Sequence, residues 1–158
     1  MAAPLLEGKR ILVVDDEPDI LDAVREALAT SLVVTAESFD EAHGLIAEKS
    51  FDLAILDIMG VNGFFLLETC RKNKLPVAML TAHAINAQSL NAAMKLGAVS
   101  FIPKEALCQL PEIVTEILED LEQGRTHWAR LFQRFGPFFN EKLAVRCEDD
   151  EDPKLIYY

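Results

Sequence analysis

The chain has 158 residues, room for one domain of ordinary size and a short appendage but not for two full domains. Hydrophobic residues make up 51% of it, enough for a core, yet no window approaches the roughly 18 unbroken apolar residues of a membrane span. Twenty-six acids against fifteen bases leave a net charge of −11, which opposes approach to nucleic acid or to an anionic membrane.

The N-terminus MAAPLLEGKR offers no apolar stretch of secretory-signal length, so a cytoplasmic location is expected. Cys70, Cys108 and Cys147 are odd in number and far apart. They form no CxxC pair and read as three reduced thiols.

In chain order, apolar runs suited to buried parallel strands recur at 11–14, 32–34, 53–56, 77–80 and 99–102. Amphipathic stretches with helical spacing lie between them. Ile20, Leu21, Val24 and Leu28 share one face, with Pro18 suited to that helix's first turn. Ala42, Leu45 and Ile46 follow, and Ser38 with Glu41 looks like a capping box. Phe64, Leu67 and Cys70 mark a third helix; Leu90, Ala93 and Met94 mark a fourth, which Gly97 closes. A last helix is expected from about Pro111 to Phe135, stopped by Gly136-Pro137, with Gly124 as its weak point. The alternation predicts an α/β fold, a parallel sheet covered by helices on both faces.

Ligands of such sheets bind at the carboxyl ends of the strands, beside the topological switch point. There the polar residues accumulate: Asp15 and Asp16 after the first strand, Asp57 after the third, Thr81 after the fourth, Lys104 after the fifth. Carboxylates gathered on one rim need a counter-charge, and Mg²⁺ suits oxygen ligands. Magnesium usually binds through one or two carboxylates plus phosphate oxygens, so a phosphoryl group belongs nearby. A carboxylate can itself accept that group as an acyl phosphate when cations neutralise the developing charge.

The pieces VVDDEPDI, LAILDI, MLTAH and FIPKE, in this order and spacing, resemble the receiver domain of two-component response regulators of the chemotaxis-regulator (CheY-like) type, over residues 9–121. The resemblance implies a flavodoxin-like, doubly wound five-stranded parallel sheet in the order 2-1-3-4-5, with a C-terminal helical extension added here. It implies that Asp57 is the phosphoacceptor, charged by a histidine kinase or phosphotransfer protein. Asp15, Asp16 and Asp57, with the backbone carbonyl of Met59, would hold Mg²⁺. Thr81 would bond the phosphoryl oxygen, Lys104 would pair with it, and Phe101 stands at the place of the switch aromatic. Two departures are visible. The loop Asp57-Ile58-Met59-Gly60-Val61-Asn62-Gly63 is shorter than the family's usual one and lacks its Pro, and Glu105 stands where many relatives carry Pro.

Blander readings stand beside these. A strand-end Asp is commonly a helix or turn cap. Phe101 is compatible with a plain core role, and His83 with a solvent-facing loop; His43 and His127, without metal-ligand spacing, read as surface residues. The expected division is a receiver at 8–123, an aromatic helical extension at 124–147 and an acidic, solvated tail at 148–158 containing EDDED. Trp128, Leu131, Phe132 and Phe135 fall on one helical face, and Phe138, Phe139 and Leu143 suit a second short turn. Such a stripe must pack within the chain, on a second copy as a homodimer, or on a partner. Packing within the chain is the conservative expectation.

The function expected is a phosphorylation-controlled receiver that signals to an output protein by contact, without a DNA-binding or enzymatic output domain of its own. Two alternatives compete. A haloacid-dehalogenase-type phosphatase shares the residue types, but its D-x-D comes first and its paired acids last, the reverse of the order here. A degenerate, phosphorylation-independent receiver would not need the full acidic, Thr and Lys set.

Overall fold

The computed structural model describes residues 4–82 and 87–143. His83, Cys147 and the acidic run of residues 148–152 lie outside the described residues, as do the side chains of Phe138, Phe139 and Leu143.

Five strands, β1 (Arg10–Val14), β2 (Leu32–Ala36), β3 (Leu53–Asp57), β4 (Val77–Thr81) and β5 (Ser100–Pro103), form one parallel sheet in the order β2-β1-β3-β4-β5. Among the described residues six α-helices follow or flank them: α1 (Pro18–Ala27), α2 (Phe39–Glu48), α3 (Gly63–Lys72), α4 (Ala87–Lys95), α5 (Leu110–Glu122) and α6 (Trp128–Leu143). Apart from Arg10, Asp57 and Thr81 at their ends, the central strands β1, β3 and β4 are apolar because both faces are covered. Leu12, Val14, Ala54, Leu56, Val77 and Met79 face a core shared with α2, α3 and α4. Ile11, Val13, Leu53, Ile55, Ala78 and Leu80 face a second core shared with α1 and α5.

Local signals act where the sequence places them. Pro18 opens α1. Ser38 Oγ accepts from the Glu41 N–H at 3.2 Å, while Glu41 Oε1 accepts from the Glu37 N–H, one residue before the cap, at 2.9 Å. Gly97, at φ +96°, ends α4 with the Ala98 N–H bonded to Ala93 O at 3.0 Å.

The single long helix expected over residues 111–135 is instead two helices. Gly124 takes φ +74°, the Gly124 N–H bonds to Leu121 O and the Arg125 N–H to Asp120 O, at 3.0 and 2.8 Å. This pair of bonds is a Schellman closure of α5. The chain then turns to start α6 at Trp128, which bends at Phe135 (φ −120°, ψ 17°) and continues as the second turn anticipated from the sequence. The aromatic stripe packs within the chain: Trp128 and Leu131 are buried in the α2-α3-α4 core, with Phe132 and Phe135 packed against it.

Among the described residues no helix is long and apolar enough to cross a membrane.

Candidate functional site at the carboxyl end of the sheet

Parallel strands all deliver their C-terminal residues to one rim, and the reversal of strand order between β1 and β3 opens a crevice there. Asp15 leaves β1 fully buried, Asp16 follows it into solvent, and Asp57 closes β3 almost fully buried. One carboxylate oxygen from each of the three lies within 4.8 Å of the others. Three acids that close are mutually repulsive, and among the described residues the cation that faces them is Lys104, just beyond β5. Its Nζ is 2.9 Å from Asp15 Oδ2, 2.8 Å from Glu17 Oε1 and 3.4 Å from Asp57 Oδ1.

Burial, then the Asp15 charge, push Asp57 up to about 6 despite the opposing pull of Lys104. Burial alone would lower the Lys104 ammonium, but hydrogen bonds to Glu17 and Asp15 raise it above its ordinary value. The Lys104 hydrogen bond and charge hold Glu17 below the usual carboxylate range. Glu17 had no assigned role in the sequence reading; it completes the acidic run 15–17 by partnering Lys104, and its own N–H donates to Asp15 Oδ1 at 2.9 Å.

Thr81 ends β4 in register with Pro103, the residue before Lys104, and its hydroxyl donates to Ala82 O at 3.2 Å. The rim therefore gathers Asp15, Asp16, Asp57 and Lys104, with Thr81 at the end of the adjoining strand. Met59 lies on the loop after β3, 73% exposed. Phe101 is not on the rim. It is fully buried beneath α6, its ring 6.3 Å from that of Trp128.

The donor set suits a hard cation. All three ligand candidates are carboxylates, and the oxygen that the buried one, Asp15, turns to the Lys104 ammonium lies 2.9 Å from it. The short loop after Asp57 is built around two glycines. A Cβ on Gly60, at φ +80°, would fall 2.6 Å from Asp16 Oδ2, and one on Gly63 would fall 2.2 Å from the Asp57 carbonyl oxygen. Absent side chains at these positions let the loop close over the acids without the family's Pro.

His127 departs from the surface position expected of it. It is fully buried and spans two elements, with Nδ1 2.7 Å from Ser100 Oγ on β5 and Nε2 2.9 Å from Glu116 Oε1 on α5. A carboxylate only accepts, so Nε2 carries the proton and Nδ1 accepts from the serine. His43 is exposed, as expected.

The family model for the response regulator receiver domain matches residues 11–118, and the chain belongs to that family. Among curated relatives, the phosphate regulon transcriptional regulatory protein PhoB of Pseudomonas aeruginosa is 31% identical over 68% of this chain and 52% of its own length. The nitrogen assimilation regulatory protein NtrX of Azorhizobium caulinodans is 35% identical over 73% of this chain and 27% of its own. The chain thus spans about half or less of the curated relatives it matches. Among solved structures, a CheY-like receiver domain protein from Methanospirillum hungatei superposes with a TM-score of 0.68 at 28% identity, covering 75% of this chain and 99% of its own. The NtrX receiver domain of Brucella abortus gives 0.56 at 34% identity, covering 65% and 94%. These findings establish a two-component receiver with the flavodoxin-like sheet that its motifs imply, and give no support to the haloacid-dehalogenase alternative. The family works through phosphorylation of an aspartate.

Proposed function

We propose that Asp57 is that aspartate, receiving a phosphoryl group from a histidine kinase or phosphotransfer protein and passing the signal on by protein contact, in the cytoplasm. The observation that carries this is the junction of a nearly buried carboxylate with two further acids and one ammonium, all at a strand-end crevice. A carboxylate oxygen of Asp57 attacks phosphorus as the bond to the donor nitrogen breaks, the electron pair leaving with that nitrogen. Bound Mg²⁺, held by Asp15, Asp16, Asp57 and the Met59 carbonyl, would offset the negative charge brought together there. Lys104 exchanges a carboxylate for the phosphoryl oxygen, and the Thr81 hydroxyl turns from Ala82 O to donate to it. No conversion of an external substrate is assigned to the chain; the only chemistry is gain and loss of its own acyl phosphate. The acidic net charge of the chain supports protein rather than nucleic-acid partners.

Incubation with a small acyl phosphate donor and Mg²⁺, followed by intact mass, tests the assignment. Wild type gains one phosphoryl group and Asp57→Asn gains none. An equal Mg²⁺-dependent gain in Asp57→Asn would place the acceptor elsewhere.

A further inference from the structure

The receiver family match ends at residue 118, before α6 begins, yet α6 is fastened to the receiver more tightly than an appended helix needs to be. β5 is an edge strand, and its first residue and the two before it carry the fastening. The Trp128 indole N–H donates to Ala98 O at 2.8 Å, the His127 N–H to Val99 O at 2.9 Å, and the Ser100 hydroxyl to His127 Nδ1 at 2.7 Å. From the other side, Arg130 pairs with Glu119 and Asp120 of α5, and Arg134 with Glu116 and Gln109. Trp128 then lies against Phe101, two residues before Pro103 and three before Lys104.

We propose that α6 is a reversible intramolecular clamp on β5, latched by Ser100-His127-Glu116 and Trp128-Phe101, which capture of a phosphoryl group at the other end of the same strand releases. The proposal rests on the phosphoacceptor reading above. One four-residue strand joins the two sites, so Ser100 and Lys104 are only about 13 Å apart along the chain. In the resting protein the Lys104 ammonium is shared among Glu17, Asp15 and Asp57. A phosphoryl group on Asp57 draws Lys104 and Thr81 toward itself, and with them the register pair Thr81 and Pro103. The latch at the opposite end consists of short, directional bonds between buried groups, which weaken steeply when one partner shifts or tilts. Phe101, on the same strand, is fully buried, with the Trp128 ring of α6 centred 6.3 Å from its own. A shift of β5 therefore moves the surface on which α6 rests, and α6 is the two-state element that coupling between the sites requires. By linkage, a ligand that releases the clamp must bind more tightly when the clamp is already loosened.

The single tryptophan of the chain is the latch residue Trp128, which makes the test direct. The full chain is titrated with beryllofluoride, a phosphoryl analogue, in the presence of Mg²⁺, and in parallel labelled with an acyl phosphate and weighed. Emission of Trp128 is expected to shift to longer wavelength and its quenching by acrylamide to rise at least twofold, with neither change in Asp57→Asn. Ser100→Ala, a small substitution away from the rim, is expected to show raised quenching before any ligand and beryllofluoride affinity increased several-fold. Mass-confirmed labelling with unchanged emission and quenching would overturn the coupling while leaving Asp57 as acceptor. Ser100→Ala indistinguishable from wild type in both quenching and affinity would overturn the latch. Absence of labelling in wild type would overturn the phosphoacceptor reading, and the coupling with it.

Discussion

At Gly60 the backbone takes a left-handed φ of +80°, with the position of an absent Cβ 2.6 Å from Asp16 Oδ2. Alanine there costs about 1–2 kcal/mol in backbone strain alone. The added methyl also meets the end of a flexible, exposed carboxylate, which can swing away at little cost to the fold but leaves the acidic group. Gly60→Ala is therefore expected to lower stability by about that amount and Mg²⁺ affinity several-fold, because one of three anions that attract the cation is displaced. A thermal melt with and without Mg²⁺ separates the two effects: the stabilisation that Mg²⁺ gives wild type should shrink in the variant. Full retention of that stabilisation would show that Asp16 does not depend on the loop. The acids themselves were legible in the sequence because each follows an apolar run, and a strand end is a fixed place in a parallel sheet. The shortened loop was visible too. Its close approach to Asp16 was not, since nothing in the order of residues says which side chain a glycine faces.

Between α5 and α6 the sequence reading and the structure part company for a physical reason. The apolar phase runs on through residues 114–135, so periodicity alone joins the two helices. A glycine at the closing position of α5 reverses the chain instead, and Arg125 secures the turn by pairing with buried Asp120 at 2.9 Å. His127 was misplaced for a related reason. Its partners Ser100 and Glu116 are distant in sequence and become neighbours only when the turn brings α6 back onto β5. The one available hint was Gly124 itself, a residue suited to ending a helix.

The buried histidine gives this junction a pH dependence. Burial lowers His127 below its ordinary 6.5, against the pull of Glu116 and Asp120 and with that of Arg130. Folded chains hold it neutral while unfolded chains take up a proton, so its contribution to stability is full above about 6.5 and lost as pH falls below that. Glu116, raised by burial but brought down further by its bonds from His127 and Arg134, has the same sign at lower pH. Asp57, held near 6, acts oppositely and gains stability for the fold as pH falls through that value. The comparison is therefore made within Asp57→Asn. There, melting temperature should fall between pH 7 and 5, and adding His127→Gln, which keeps a donor and an acceptor but does not titrate, should flatten the fall. An unchanged slope would assign the acid sensitivity to other groups.

Across the whole molecule, the sheet has two covered faces and two edges, and the edges are treated differently. The β2 edge is open enough to leave Leu32 55% exposed. The β5 edge is closed by α6, which seats Trp128 and Leu131 in the same core as Met79 and Phe101. The five strands were legible because apolar runs buried on both faces have no competing local reading at that length. The destination of the aromatic stripe was not, because a helix face states that it will be covered and not by what. Its placement makes α6 part of the receiver's stability, although the family match covers residues 11–118 and stops short of it. Burying a large apolar side chain contributes about 1.5–3 kcal/mol before ordering entropy, and α6 buries two, Trp128 and Leu131. Removing the helix also uncovers Phe101 and unpairs Glu116 and Asp120. Truncation after Gln123 is thus expected to lower stability by about 2–5 kcal/mol, a drop in melting temperature of roughly 4–20 °C for a domain of this size. The loss should not depend on protein concentration, since the contacts are within one chain; a subunit interface would make it fall away on dilution. Melting of the truncated chain at the wild-type temperature would mean that α6 rests on the receiver without supporting it.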